Sequence, residues 1–172
     1  QNVIAQTQQQ FGQLNGVIHA AGVLQGKSIE AIGNITKIDC EQQFKPKVNG
    51  LLVLENVLQN KQIDFCLLLS SLSSILGGLG FVAYSAANTF MDAFVHQHNQ
   101  SHTGLWSSIS WDGWQLEKVE ENEQNTSLGA NLRELAIESE EGIKAVQRIL
   151  NYGLFNHIIV STGELKARIQ KW

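Results

Sequence analysis

Short apolar runs alternate with longer amphipathic stretches along this chain. GVIHAAG (16–22), DFCLLLSS (64–71), LWSSISW (105–111) and HIIVST (157–162) are the apolar runs. Runs of this length, nearly free of polar interruption, predict strands buried on both faces of a parallel sheet. Residues 36–59 carry Phe44, Leu51, Leu52, Val53, Leu54, Val57 and Leu58 and predict a helix, with Pro46 starting or kinking it. Residues 84–98 set Ala87, Phe90, Met91, Phe94 and Val95 at helical intervals. SEEGIKAVQRILN (139–151) predicts another helix, with Ser139 as N-cap and acids in its first turn. An exposed helix over 1–13, which Gly12 helps to end, precedes the first strand. The glycine-bearing stretch 73–83 reads as a loop, and the polar, acidic stretch 115–134 as a mobile surface loop or lid with some helix. This alternation predicts an α/β fold, a doubly wound parallel sheet with its site where the strand ends meet. No repeat or linker divides the chain.

Composition narrows the classes. Hydrophobic residues at 43% and charged residues at 16% describe a packed core. With 12 basic and 16 acidic side chains and a net charge of −4, no nucleic-acid partner is expected. No run approaches the roughly 18 apolar residues of a membrane span, and QNVIAQTQQQ is not a signal peptide. Cys40 and Cys66 form no CxxC or Cys/His cluster, so two free thiols in a reducing cytoplasm are expected, with no metal. The chain starts at Gln1 and its only methionine is Met91, which reads as a piece of a longer polypeptide. Neither GxGxxG nor GxxxxGK[ST] occurs, and GGLG (77–80) has the spacing of a loop and not of a phosphate cradle.

At HAAG (19–22), PKVNG (46–50), LLLSS (67–71), YSAAN (84–88) and SWDGW (110–114) the order and spacing stop being generic. With these motifs the chain resembles the ketoreductase domains of modular polyketide synthases, in the short-chain dehydrogenase/reductase superfamily. The resemblance runs through the tail STGELKARIQKW (161–172) but covers only the carboxy-terminal part of such a domain. It implies a Rossmann-like sheet that is incomplete here, lacking the first βαβ units and their glycine-rich pyrophosphate turn. Residues 1–172 would be the later part of one NADP-binding domain.

The resemblance also implies a site. Lys47 occupies the lysine position of the PKVxG motif, Ser71 is the second serine of the SS pair, and Tyr84 and Asn88 fill YxxxN. His19, Ala20, Ala21 and Gly22 match a turn beside the cofactor's adenosine side. Trp111 to Trp114, with Gly113 between them, match the segment that approaches the nicotinamide. The implied reaction is NADPH-dependent reduction of a β-ketoacyl thioester, held on the phosphopantetheine of an acyl carrier protein, among other synthase domains.

The chemistry asks for such residues. A carbonyl oxygen that becomes an alkoxide needs a proton and hydrogen bonds. Tyrosine can donate the proton, yet free tyrosine, with a pKa of about 10, is too weak an acid unless a cation favours its phenolate. Lys47 would be that cation, preferred over Lys45; Ser71 would hold the oxygen; Asn88 would position Lys47 or a relay water. Tyr84 and Asn88 are four apart, so one helical face presents both.

Blander readings compete. His19 reads as a structural or cofactor-side residue. His96 and His98 point to different helical faces and make a poor metal pair. Asp92 reads as facing solvent or a neighbouring helix, and Trp106, Trp111 and Trp114 as core or cleft wall. Two stereochemical fingerprints are missing: Leu24-Gln25-Gly26 stands where one type has LDD, and Leu76 where the other has tryptophan. A non-catalytic structural segment of a megasynthase is the alternative function. The GVIHAAG strand should expose an apolar edge, making the isolated chain poorly soluble and inactive.

Overall fold

The computed structural model describes residues 2–23, 31–102, 105–115, 135–153 and 155–171. Its strands are β1 (Gly16–His19), β2 (Phe65–Ser71), β3 (Trp106–Trp111), β4 (Trp114–Gln115), β5 (Ile137–Glu138) and β6 (His157–Val160). Its helices are α1 (Asn2–Phe11), α2 (Lys37–Phe44), α3 (Gly50–Leu58), α4 (Ser73–Leu76), α5 (Val82–Ser101), α6 (Ser139–Tyr152) and α7 (Leu165–Gln170). The main sheet runs β1-β2-β3-β6 with every pair parallel, and β4 pairs with β5 in a second, minimal sheet.

Successive side chains of β2 point to opposite faces, and each face meets helices. Cys66 and Leu68 pack with Leu51 and Leu58 of α3, Met91 and Val95 of α5, and Trp106. Leu67 packs the other way, with Ile109, Trp111, Ile137 and Ile149 of α6. This two-sided burial is why 64–71 reads as a nearly continuous apolar run. Fully burying each leucine is worth about 2 kcal/mol. The doubly wound parallel sheet expected from the sequence is the architecture found.

The edge at β1 is open among the described residues. Ile18 lies in register with Leu67, on the same face, and is 53% exposed. The expected apolar edge is therefore present. No helix of the described residues is long and apolar enough to cross a membrane.

Several boundaries differ from expectation. Residues 73–76 form a helical turn inside the expected loop, and α5 starts at Val82 and runs to Ser101. Ser139 is the first residue of α6 and not its cap; Glu138 precedes it, its backbone N–H donating to the Glu141 carboxylate at 3.2 Å. The β4–β5 pair and α7 have too few residues for periodicity to reveal them. The lid expected over 115–134 falls outside the described residues from 116 onward, and so does Leu24-Gln25-Gly26. Gly142 of α6 faces Trp114, and a Cβ there would land inside the indole, so a larger residue would have to displace that ring.

Candidate active site

Pro46 sets the geometry of the lysine. It has no N–H for the bond back to the preceding turn, and the chain widens there into a π-helical segment, Lys45–Asn49. The Gly50 N–H donates to the Lys45 carbonyl, five residues back. This swelling leaves Lys45 exposed and turns Lys47 inward, where it is only 4% exposed. Lys47 Nζ donates to the Leu69 carbonyl at 3.0 Å and lies 5.5 Å from the centroid of the Tyr84 ring. That is within cation–π reach. Burial pulls the Lys47 ammonium down to about 8, with Asp92 pulling the other way.

Ser71 is the last residue of β2, two positions beyond Leu69, and its Oγ accepts the Ser73 N–H at 3.2 Å. The GGLG stretch then carries the chain toward Tyr84, with Gly77 at φ 67° and Gly80 at φ 82° in the left-handed region. Tyr84 sits in the first turn of α5, half-buried, with the Phe81 ring edge-on to it at 5.9 Å. Asn88 is 0% exposed one turn on, and its Nδ2 donates to the Tyr84 carbonyl at 2.9 Å. The Asn88 amide thus holds its own helix and does not reach Lys47. Its Oδ1 is buried without a partner.

The remaining expected residues surround this group. Ala20, Ala21 and Gly22 are exposed after β1, and a Cβ on Gly22 would come within 3.4 Å of Lys47 Cε. His19 lies against Gly50, at 3.5 Å from where a Cβ would be. Burial first, then the Lys47 charge, push the His19 imidazole below its ordinary value, against backbone groups of Pro46 and Lys47. A neutral imidazole suits a packing role. Trp111 is in register with Ser71 on the neighbouring strand, but its indole is buried edge-on to Trp114 at 5.2 Å. Gly113 is exposed. Lys47, the Tyr84 ring and Gly22 therefore lie together, with Ser71 at the adjoining strand end and the Asn88 amide bonded within its own helix. His96 meets Gln100 and Asn156 whereas His98 meets Glu55, so the two imidazoles diverge.

Two polar groupings escaped the sequence reading. Asp92 is not turned to solvent: it faces β3 and β6, accepting from the Ser108 hydroxyl and approaching His157. Its place one turn beyond Asn88, opposite a strand of alternating serines, was the available signal. Asp112, 7% exposed, is held by Arg168 through Nη1 at 2.7 Å and Nη2 at 2.9 Å, and by the Thr162 N–H at 2.9 Å. It ties the loop after β3 to α7.

A parallel sheet covered by helices on both faces, with Lys47 brought against Tyr84 beside the end of β2, defines a Rossmann-like α/β domain. The family model of the KR domain matches residues 1–116. Polyketide synthase PksM of Bacillus subtilis is 33% identical over 154 residues, which is 88% of this chain and 4% of that protein. The 6-methylsalicylic acid synthase of Aspergillus terreus is 32% identical over 145 residues, 82% of this chain and 8% of that protein. Among solved structures, an N-terminal ketoreductase from the macrolactin assembly line is similar with TM-score 0.78 and 28% identity, over 99% of this chain and 32% of that one. A ketoreductase domain from the bacillaene assembly line gives TM-score 0.77 and 25% identity, over 99% and 41%. The chain thus spans a small part of the curated relatives it matches. It belongs to the KR family, the ketoreductase domains of polyketide synthases.

Proposed function

We propose that this chain carries the catalytic part of a ketoreductase domain that reduces a β-ketoacyl thioester on an acyl carrier protein to the β-hydroxyacyl thioester, using NADPH, within a polyketide synthase. The observation that carries this reading is the buried Lys47 ammonium 5.5 Å from the Tyr84 ring at the end of β2. The residues present suit the nicotinamide end of the cofactor. Lys47 spends one of its three donors on Leu69, which leaves two for a bound group, and Gly22 of the exposed Ala20–Gly22 strap lies beside it. A bound nicotinamide would supply the hydride.

The chain's own groups manage the charge and the proton. As charge builds on the carbonyl oxygen, Tyr84 gives up its hydroxyl proton to it. The positive charge of Lys47 stabilises the phenolate left behind. The Ser71 hydroxyl donates a second hydrogen bond to the same oxygen. The orphaned Asn88 Oδ1 is an acceptor for a water that returns the proton to Tyr84. No glycine-rich pyrophosphate turn occurs within these 172 residues.

The test is Tyr84→Phe in the synthase polypeptide containing this chain. Reduction of a β-ketoacyl thioester should fall by about a hundredfold or more, and retained reduction would overturn the assignment. The competing reading, a structural segment without catalysis, is favoured by the lack of a glycine-rich phosphate turn in the sequence. NADPH fluorescence on the same polypeptide separates the two, because a structural segment leaves it unchanged.

A further inference from the structure

The helical turn that follows Ser71 is too short to stand by itself. α4 spans only Ser73–Leu76, and Gly77 ends it with φ 67°. A single turn gains little hydrogen bonding for the residues it fixes, so its shape depends on what it is tied to. Two ties join it to β3. The Leu72 N–H donates to the Trp111 carbonyl at 2.9 Å, and Ser74 Oγ lies 3.3 Å from Ser110 Oγ. Ser110 Oγ is also 2.8 Å from His157 Nε2 of β6. That nitrogen lies 3.7 Å from Asp92 Oδ2, and Asp92 Oδ1 accepts from Ser108 Oγ. A line of side-chain hydrogen bonds thus runs from β6 through β3 to α4.

Ser110, His157 and Asp92 have the residue types of a hydrolytic triad, and the geometry rules that use out. Both partners meet the same ring nitrogen, so the imidazole cannot pass a proton from one side to the other. Ser110 is 0% exposed, so no substrate reaches it. The line holds something in place instead, and what lies at its end is the start of α4. There the Ser73 N–H donates to Ser71 Oγ at 3.2 Å. That bond occupies a lone pair of the hydroxyl oxygen and leaves the Ser71 proton to be donated elsewhere. A hydroxyl stabilises a developing oxyanion best when its direction is set before the reaction. The direction of Ser71 is set by the Ser73 N–H, and the place of that N–H by a turn fastened through Ser74.

We propose that Ser74 and Ser110 are positioning residues for the reduction: the line His157–Ser110–Ser74 holds α4 so that the Ser73 N–H aims the Ser71 hydroxyl at the substrate carbonyl oxygen. The effect on reduction rests on the function proposed above; the mechanical tie does not.

The test cuts the tie at Ser74, which is only half-buried. Alanine is a better helix former than serine and threonine a poorer one, so propensity alone would make Ser74→Ala firm the turn and Ser74→Thr loosen it. A lost hydroxyl tie gives the opposite order. In the synthase polypeptide containing this chain, hydrogen exchange is read by mass spectrometry on the peptide spanning 73–77, whose Ile75, Leu76 and Gly77 amides are bonded within the turn. Exchange should quicken about fivefold in Ser74→Ala and in Ser110→Ala, the effect of one lost hydrogen bond. It should stay at the wild-type rate in Ser74→Thr. In the same polypeptide kcat should fall about tenfold in Ser74→Ala with KM unchanged, and recover in Ser74→Thr. Ser71→Ala should cost about a hundredfold, and Ser74→Ala added to it should cost nothing more, because Ser74 acts through Ser71. Unchanged exchange in Ser74→Ala, an unchanged kcat, or the same further loss in the Ser71→Ala background overturns the proposal and leaves the proposed reduction standing. Full reduction by Ser71→Ala overturns the positioning role together with the place of Ser71 in that reduction, so the two failures are told apart.

Discussion

Removing the charge at Lys47 should stabilise the fold while destroying the reaction. Lys47 is 4% exposed, and burial lowers its ammonium from 10.5 to about 8. At about 1.36 kcal/mol per pH unit, that gap is about 3 kcal/mol. The sign follows from which state holds the proton. Between about pH 8 and 10.5 the unfolded chain keeps a proton that the native chain has released, so stability rises with pH through that window. Below it, both states are charged and the native state carries the full penalty. Lys47→Met keeps the apolar stem and drops the charge. At pH 7 the variant gains up to about 3 kcal/mol, less about 1 kcal/mol for the lost bond to the Leu69 carbonyl. That loss is nearly independent of pH, so a double difference removes it. Urea unfolding, followed by tryptophan fluorescence on both proteins at pH 7 and pH 10, gives the variant-minus-wild-type stability at each pH. The difference should shrink by most of the 3 kcal/mol on going to pH 10. A difference that is constant, or that grows, refutes the assignment of a penalised ammonium at this position.

Two further outcomes are expected. The rate of reduction should fall about tenfold per pH unit above about pH 8, as Lys47 loses the proton that supports the phenolate; a kcat profile flat to pH 10 contradicts this. Arg168→Met should cost about 3 kcal/mol in unfolding experiments, because it strands the buried Asp112 carboxylate. Asp112→Ala added to it should recover much of that loss, and a single-variant loss below about 0.5 kcal/mol would mean that the pair is screened like a surface one.

Much of the fold could be read from the chain because its physics is local. LLL in β2 is apolar on both faces since helices cover both, and that pattern needs no partner to be recognised. The motifs carrying Lys47, Ser71, Tyr84 and Asn88 were equally open to inspection. What lay hidden depended on pairing between distant segments. Nothing near Asp92 announces that a serine of β3 and a histidine of β6 will meet it, at sequence separations of 16 and 65. Asp112 and Arg168, 56 residues apart, are similarly silent until α7 docks. The role of Pro46 was half visible: a kink was expected, but its use in driving Lys47 inward depends on the π-helical register that the following residues adopt.

The site is therefore a property of the assembled sheet and not of any one motif. Lys47 comes from a widened turn, Ser71 from a strand end, and Tyr84 and Asn88 from one helix. An ammonium held under cover costs stability at neutral pH, and a chain selected for stability alone would place methionine or leucine there. The cost persists where the charge has a use in the folded state. Lys47 faces an aromatic ring that can accept or release a proton, and a fixed carboxylate opposes the burial that would neutralise it. A cation paired tightly to a carboxylate would be more comfortable but less available to stabilise a phenolate. With no carboxylate in ion-pair distance among the described residues, Lys47 is left facing Tyr84, an arrangement suited to moving a proton and of no benefit to packing.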